Sequence, residues 1–372
     1  PLPPRLRNAG AAGALRPLNL RYVRPGTGPR RTLLRILMTN ACSFNCHYCP
    51  MRRDRELPRA LLKPEELVRI FLGALERGWC DGLFITTGIP ARPTAVMDDL
   101  IKVLELLRTR HKFQGYIHTK IVPGAEEAQV ARLTALASRV SVNLEAPCGD
   151  TLTQIAPEKR FATTLASLEQ ARQRVVEGRL ARREGRPRNP LEPHGAAGIT
   201  TQFVVGATGD PDRTIVSTLV SLYGKGGMHH AQFSAFRPIR DTPMEQIRAA
   251  PAVREHRLYQ ADHLLRDYGF DPNEIVYDER GNLPLGRDPK VAAALAHPER
   301  FPLDVLTATR EELVRVPGIG PATARRIVEE RRSTPIRGGR DLRRMGVIVD
   351  RAAGFLSIRG RRLPTDRWAG QL

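Results

Sequence analysis

The chain has 372 residues, a formal net charge of +20 and 41% hydrophobic residues. This length and apolar content exclude a disordered chain and a small disulfide-stapled domain, and they favour one large domain with a smaller one beside it. The sequence contains no run of eighteen apolar residues, so we expect no membrane-spanning helix. A net charge this positive favours a polyanionic partner such as nucleic acid.

Residues 1–31 are basic and lack the continuous apolar run of a signal peptide, which predicts a loosely structured leader. Five cysteines follow, and three of them lie within eight residues, at Cys42, Cys46 and Cys49. A clustered, odd set of cysteines is typical of a metal site in the reducing cytoplasm, where we therefore place the protein. Cys80 and Cys148 have no spaced partner, and we interpret them as small buried apolar residues.

Short apolar runs alternate with amphipathic segments between residues 32 and 245. The runs predict six strands: Leu33–Met38, Gly82–Thr86, Gly115–Val122, Arg139–Glu145, Thr200–Val205 and Ala231–Ala235. Helical spacing predicts helices at Pro64–Arg77, Val96–Arg108, Ala125–Ser138 and Thr164–Glu177. Six βα units predict an α/β fold, a partial (β/α)6 TIM-like barrel whose chemistry lies at the carboxyl ends of the strands. Residues 178–198 are rich in Pro, Gly and Arg, and they predict an exposed loop.

The three clustered cysteines follow the first predicted strand with the spacing C-x3-C-x2-C. Thiolates are the ligands of iron–sulfur clusters, and this spacing lets one loop hold three corners of a cubane. Three protein ligands leave one iron open, and this iron can chelate the amino and carboxylate groups of S-adenosylmethionine (SAM). The cluster can then pass an electron into the sulfonium of SAM. A closed zinc site is the alternative, but it requires four ligands, and His47 is poorly spaced to be the fourth.

The cysteine spacing, with the aromatic Tyr48 directly before the last cysteine, resembles the signature of the radical SAM superfamily. The resemblance implies a [4Fe–4S] cluster, SAM, an electron donor and a 5′-deoxyadenosyl radical as the reactive species. It also implies a SAM-binding Gly-Gly-Glu-like segment after the second strand. The counterpart here is Thr86-Thr87-Gly88, which keeps one glycine and lacks the acidic residue.

Polar residues at the ends of later strands are the other candidates for the site. Alternation places Asn143 and Glu145 on one face of the fourth strand, and the resemblance implies that they bind SAM. On the fifth strand the same interpretation applies to Gln202 and Gly206. No catalytic residue is assigned. The candidates are His118 and Lys120, which share a face of the third strand, and Arg237 after the sixth, with barrel lining or a solvated surface as the alternatives.

The last predicted domain is a small all-α domain at residues 301–372, and it follows a helical extension and connector at 246–300. Residues 302–372 contain fifteen Arg and no Lys against eight Asp and Glu. A helix at Arg310–Arg315, a Pro-Gly-Ile-Gly turn and a second helix from Pro321 resemble the helix-hairpin-helix motif, which grips DNA phosphates. The predicted nucleic-acid contacts are Gly318, Ile319, Gly320, Thr323, Arg325 and Arg326. Residues 341–356 resemble a degenerate second hairpin, and protein docking is the alternative role for the domain.

Both ends of the chain together resemble one family, the radical SAM proteins of DNA modification and repair with a C-terminal helix-hairpin-helix. The shared segments include GYIHTKIVPGA, SVNLEAP, APEK at 156–159 and RVPGIG. The resemblance implies DNA as the partner and a uracil-DNA glycosylase-like protein as a possible second one. Two alternatives stay open: modification of an RNA base, and a non-catalytic iron–sulfur partner of a glycosylase.

Overall fold

The computed structural model describes residues 20–23, 31–185 and 195–364. It divides into two compact units. The first unit comprises residues up to Thr208 together with Gly224–Ala250, and the second comprises Gly209–Tyr223 and residues from Pro251 onward. None of the helices in the described part of the chain is long and apolar enough to cross a membrane.

The first unit is built on a seven-stranded sheet with the strand order β1 to β7. Its strands are β1 Leu20–Val23, β2 Arg31–Leu37, β3 Gly82–Thr86, β4 Tyr116–Lys120, β5 Arg139–Ser141, β6 Ile199–Val205 and β7 Met228–Ala235. Strands β2 to β7 are parallel, each paired with the next, whereas β1 runs antiparallel to β2. Six parallel strands joined by helices form the predicted partial (β/α)6 barrel.

Strand β1 lies inside the segment that we predicted to be a loosely structured leader. That prediction does not hold for Leu20–Val23, because these residues pair with Leu34 to Arg31 of β2. An edge strand exposes a row of unpaired backbone groups, and a short antiparallel partner satisfies them. Residues 1–19 and 24–30 lie outside the part of the chain that the structure describes.

The helices that follow the strands are α1 Pro64–Glu76, α2 Pro93–Glu105, α3 Glu127–Leu136, α4 Gly149–Ile155, α5 Phe161–Arg183 and α6 Asp212–Gly224. Helix α1 begins with Pro64, which is compatible with the first turn because it has no N–H to leave unpaired. It buries one face through Leu67, Val68 and Phe71. Helix α5 continues to Arg183, so the loop predicted from residue 178 was wrong for residues 178–183. The arginines and alanine there are good helix formers. Residues 186–194 of that loop lie outside the described chain.

The second unit contains α6 and six further helices: α7 Ala252–Asp267, α8 Pro289–Ala296, α9 Arg310–Arg315, α10 Pro321–Glu330, α11 Gly339–Arg344 and α12 Val349–Ala352. Three short strands, β8 Leu303–Asp304, β9 Leu356–Ile358 and β10 Arg361–Arg362, form a small sheet with the order β10-β9-β8. This sheet joins the start of the C-terminal domain to its end. The domain was predicted as all-helical, and the sheet is an addition to that prediction.

Candidate functional site

The loop that carries the three cysteines follows β2 and lies against the loop that follows β3. The Gly88 amide donates to Thr39 O at 2.6 Å, and the Ser43 amide donates to Ile89 O at 2.7 Å. A Cβ on Gly88 would lie 2.3 Å from Ala41 O, so only glycine permits this approach. The single glycine kept in Thr86-Thr87-Gly88 therefore supports the backbone directly before Cys42.

Arg59 holds the far side of the cysteine loop, and the sequence reasoning missed it. Its guanidinium donates to Asn40 O at 2.6 Å, to Met51 O at 2.8 Å and to Arg52 O at 2.7 Å. A planar guanidinium with five donors is suited to gathering several carbonyls in this way. His47 is held separately, since its Nδ1 lies 2.8 Å from Gln154 O. His47 is thus part of the loop's support, and its ring bonds a carbonyl of α4.

The three cysteines line one cavity of about 640 Å³ at the carboxyl ends of the strands. The structure brings most of the predicted cofactor residues to this cavity: Tyr48, Thr86, Thr87, Gly88, Asn143, Glu145 and Gln202. Lys120 also lines it, as do two basic residues that were not predicted to belong to the site, Arg35 and Lys159. Lys159 is the last residue of the APEK segment. That segment was part of the resemblance to the family, but no role was predicted for any of its residues. The position of its side chain beside Glu145 is a property of the tertiary fold.

Glu145 is the centre of a buried polar cluster in the cavity wall. Lys159 Nζ donates to Glu145 Oε1 at 2.9 Å, and the side chains of Lys159 and Glu145 are only 10% and 6% exposed. Asn143 Nδ2 lies 3.3 Å from the same oxygen, and Tyr48 also hydrogen-bonds to Glu145. The Glu145 backbone has φ +66°, a conformation that residues other than glycine rarely adopt and that recurs at functional sites.

The charges of this cluster are set by burial and by one another. Burial acts to raise the pKa of Glu145, but Lys159 and Lys120 outweigh it and hold that pKa below its ordinary value. Burial lowers the pKa of Lys120 to about 8. Burial, with Glu145 as a second cause, raises the pKa of Tyr48, which keeps the phenol protonated. The wall therefore presents a carboxylate and two amines, which are complementary to the amino and carboxylate groups of an amino acid.

The thiols of the cavity fit a group that supplies positive charge. Burial raises the pKa of Cys46 to about 12 and also raises that of Cys49, so a thiolate here requires a cationic ligand such as iron. Cys46 packs in an apolar shell with Ala146, Leu152 and Phe236, which keeps water away. Within the described ranges no three His, Cys, Asp or Glu side chains are grouped as a single metal ion requires. The three cysteines instead line one shared cavity, where they would hold a multi-iron cluster.

Three predicted site residues lie away from the cavity lining. Gly206 follows β6 with φ +77°, so its left-handed conformation explains the glycine. Arg237 is exposed. His118 lies two residues before Lys120 on β4, is 7% exposed, and stacks on Phe84 with ring centroids 4.4 Å apart. None of the three is assigned a catalytic role by its position.

In the second unit, the turn between α9 and α10 has the geometry of a hairpin. Thr309 caps α9 by accepting from the Glu312 amide at 3.2 Å, as the capping-box pattern predicted. Gly318 has φ +85°, and a Cβ there would lie 2.6 Å from Ile348 O. Gly320 has φ −95°, and a Cβ there would lie 3.4 Å from its nearest outside atom, Tyr268 Oη. Gly318 therefore permits packing inside the domain, whereas Gly320 leaves room beside the first turn of α10.

The other predicted nucleic-acid contacts also include residues that pack inside the domain and residues that are exposed. Ile319 is 1% exposed, and its carbonyl accepts from Lys290, so its side chain packs inside the domain and cannot reach a ligand. Thr323 Oγ1 donates to Gly346 O at 3.3 Å, and Arg326 Nη1 donates to Met345 O at 3.1 Å. Arg325 is exposed, with a side chain 66% accessible. Of the named side chains, Arg325 is the one most available to a polyanion.

Helices α11 and α12 frame a second turn around Gly346, at the place of the predicted degenerate hairpin. The two turns contact each other reciprocally. The Ile348 amide donates to Gly318 O at 3.0 Å, while Thr323 contacts Gly346. Two hairpins that support each other form a paired module rather than an isolated loop.

The barrel, the three-cysteine loop and the polar cavity define the class of the first unit. Residues 36–179 match the radical SAM superfamily. Enzymes of this superfamily use a [4Fe–4S] cluster and SAM, so the protein is an enzyme with a radical SAM domain and these cofactors, and the match leaves its reaction unspecified. Residues 303–330 match the helix-hairpin-helix motif. No curated protein matches the chain.

Several solved structures resemble the chain. Methylornithine synthase (PylB) is 13% identical with a TM-score of 0.49, and the match covers 63% of this chain and 61% of that one. The hydrogenase maturase HydG from Carboxydothermus hydrogenoformans is 17% identical with a TM-score of 0.49, covering 63% and 51%. The radical SAM methyltransferase TsrM from Kitasatospora setae is 16% identical with a TM-score of 0.40, covering 60% and 39%. The chain thus spans less than two thirds of the length of each of these proteins.

Proposed function

We propose that the protein modifies or repairs DNA by radical chemistry, with the helix-hairpin-helix module holding the polymer. The observation that carries this proposal is the presence of both parts on one chain: a radical SAM domain at residues 36–179 and a phosphate-gripping motif at 303–330. The excess of arginine over acidic residues in the C-terminal segment supports a polyanionic substrate.

The residues of the cavity would hold both cofactors. Cys42, Cys46 and Cys49 would bind three irons of the cluster, and Glu145 with Lys159 would bind the charged groups of SAM. When bound, the cluster and SAM supply a 5′-deoxyadenosyl radical that abstracts a hydrogen atom. The chain's own contribution is orientation and exclusion of water, through the apolar shell around Cys46.

The module would bind phosphates through backbone amides and arginines. The first amides of α10 have no carbonyl partner within the helix, and the space beside Gly320 lets a phosphate approach them. Arg325 would add charge without reading sequence. A base in a duplex would have to leave the stack to reach a cavity in the barrel, as it does in other enzymes that act on bases.

Two other functions make different predictions. An RNA-modifying enzyme would prefer tRNA to duplex DNA at equal salt. A non-catalytic partner of a uracil-DNA glycosylase-like protein would bind the cluster and DNA without cleaving SAM. The DNA enzyme requires an electron donor, and dithionite replaces it in the test tube.

The test is anaerobic reconstitution followed by incubation with dithionite, SAM and either duplex DNA, single-stranded DNA or tRNA. We expect 5′-deoxyadenosine, stimulated by DNA, and an altered nucleoside in the digested DNA. Greater stimulation by tRNA would favour the RNA enzyme. Binding of DNA without any 5′-deoxyadenosine, in the presence of an intact cluster, would favour the non-catalytic partner.

The DNA-binding part is tested separately by the salt dependence of affinity. Replacing Arg325 by Ala should reduce the slope of log K against log salt by about 1, because one fewer counterion is released. Arg331→Ala is the matched control. Arg331 donates to Val305 O and Ala308 O at 3.0 and 2.6 Å, so its substitution alters the fold locally but removes no exposed phosphate contact.

A further inference from the structure

The strands of the barrel carry basic side chains and no acidic ones. Strands β2 to β7 contain Arg31, Arg35, Lys120, Arg139 and three histidines, but not one Asp or Glu. The first carboxylate of the cavity wall is Glu145, beyond the end of β5, and Lys159 already pairs with it. Strands that line a barrel normally carry branched apolar residues, so this composition requires a reason.

Register shows which of these side chains share the inner face. Lys120 lines the cavity, and His118 precedes it by two residues, so both face the barrel interior. Arg139 is the register partner of His118, and Ser141 is the partner of Lys120. Neighbours in register point to the same side of a sheet. Arg139, His118 and Ser141 therefore form one patch on the inner wall, below the cavity that the cysteines line.

This patch contains donors that lack acceptors. Arg139 is 5% exposed, His118 7% and Ser141 4%. Arg139 Nε and Nη1, His118 Nε2 and Ser141 Oγ are all buried without a hydrogen-bond partner among the described residues. Arg139 retains one contact, with the Tyr116 hydroxyl. Burial, together with Arg139, Lys120, His230 and Arg35, lowers the pKa of His118 well below its ordinary value, so its ring is neutral and has one N–H to donate.

Another buried arginine of the same unit shows how unusual this is. Arg108 is 4% exposed, and its guanidinium donates to Leu136 O, Phe113 O, Gly115 O and Ser138 Oγ at 2.7–3.3 Å. Buried charges are normally paired or fully hydrogen-bonded, because an unpaired one loses its hydration without compensation. Arg139 does not meet that condition within the described chain, and an anion would satisfy it.

We infer that Arg139, His118 and Ser141 form an anion-binding site inside the barrel, which takes the phosphate group of a nucleotide substrate. The inference rests on the proposed function for the source of the phosphate, while the anion site itself rests on the unpaired donors. A planar guanidinium offers two parallel N–H groups to phosphate oxygens, and Ser141 and His118 add neutral donors.

The experiment measures phosphate binding by the full-length, cluster-loaded protein. Calorimetric titrations use inorganic phosphate, a deoxynucleoside 5′-monophosphate and the uncharged deoxynucleoside. We expect the monophosphate to compete with phosphate and the nucleoside not to compete. Arg139→Met should weaken the binding of both anions by roughly tenfold or more, because a charge-assisted hydrogen bond is lost. Circular dichroism checks that Arg139→Met is folded. If it is not, Arg139→Lys is used in its place, because lysine keeps the charge but lacks the paired N–H groups of the guanidinium.

Two controls locate the site. Lys102→Met should bind phosphate as the native chain does, since this exposed lysine of α2 lies outside both proposed phosphate sites. The melting temperature of ligand-free Arg139→Met should equal or exceed that of the native protein, because an unpaired buried charge has been removed, whereas Arg108→Met should melt earlier. Unchanged phosphate affinity in Arg139→Met, loss of phosphate binding in Lys102→Met, or displacement of phosphate by SAM alone would overturn the inference. Phosphate binding that depends on Arg139 in a protein that binds no nucleic acid would instead overturn the proposed function and leave the anion site standing.

Discussion

Lys159 donates to Glu145 at 2.9 Å in a wall where both side chains are at least 90% buried. The two residues are fourteen positions apart, and α4 lies between them. Lys159 precedes α5, and Glu145 lies beyond the end of β5 in a left-handed conformation. The pair therefore places two opposite charges, which neutralise each other, in the wall where SAM would bind.

Replacing Lys159 by Met should destabilise the first unit by about 3 kcal/mol, because it leaves the Glu145 carboxylate buried without its main partner. Urea unfolding of the cluster-free protein measures the change. Lys102→Met is the matched control. Lys102 Nζ lies 2.6 Å from Glu65 Oε1, but both side chains are 54% exposed, and exposed pairs contribute little. Equal unfolding midpoints for the two variants would contradict the buried-pair interpretation.

Cys46→Ala should abolish the visible absorption of the reconstituted cluster and the formation of 5′-deoxyadenosine together, because two thiols cannot hold the cubane in its three-ligand form. Affinity for duplex DNA should stay within about twofold, since the variant leaves the hairpin unchanged. Cys80→Ala provides the control, because Cys80 is buried but does not line the cavity. A cluster that survives Cys46→Ala would remove Cys46 from the ligand set.

The two hairpin glycines should respond differently to alanine. Gly318→Ala should lower the stability of the second unit by about 1–3 kcal/mol, since the residue is left-handed and its Cβ would strike Ile348 O. Gly320→Ala should leave stability nearly unchanged but weaken DNA binding, because its Cβ would occupy the space beside α10. Thermal unfolding and DNA titration of both variants check this. A stable Gly320→Ala protein with native affinity would show that phosphates do not approach there.

Lys290 makes the stability of the second unit depend on pH. It is 7% exposed, its Nζ donates to Ile319 O, and burial lowers its pKa from 10.5 to about 7. The unfolded chain therefore binds this proton up to about pH 10.5 and the folded chain only to about pH 7. Stability must rise with pH between those values, by up to about 1.4 kcal/mol per pH unit, and be independent of this group below pH 7.

The measurement is urea unfolding of the native chain and of Lys290→Met at several pH values from 6 to 10. The difference in unfolding free energy between the two should increase in favour of the native chain as pH rises above about 7. A difference that is constant over the whole range would show that Lys290 keeps an ordinary pKa in the folded protein.

The cysteine spacing and the alternation of apolar runs predicted the barrel and the thiol loop, and the resemblance to the radical SAM superfamily pointed to several of the residues that line the cavity. Five of the six predicted strands overlap the observed ones closely, because each buried strand is a short run of apolar residues that is visible in the sequence. Strand Arg139–Glu145 was too long, because regular strand pairing ends at Ser141 and the backbone turns at Glu145. The hairpin glycines were also found, although Ile319 was taken for a contact residue and is a core residue.

Local pattern determines what a segment is, because thiol spacing, strand periodicity and turn glycines act over a few residues. It could therefore identify Cys42, Cys46 and Cys49 and the turn at Gly318 without coordinates. Only the tertiary structure joined Lys159 to Glu145, brought Arg59 under the cysteine loop and aligned Arg139 with His118. These relationships depend on strand register and burial, which unite residues from distant segments. The energetic effect of a buried charge depends on the groups that contact it, and those groups are brought together only in the folded chain.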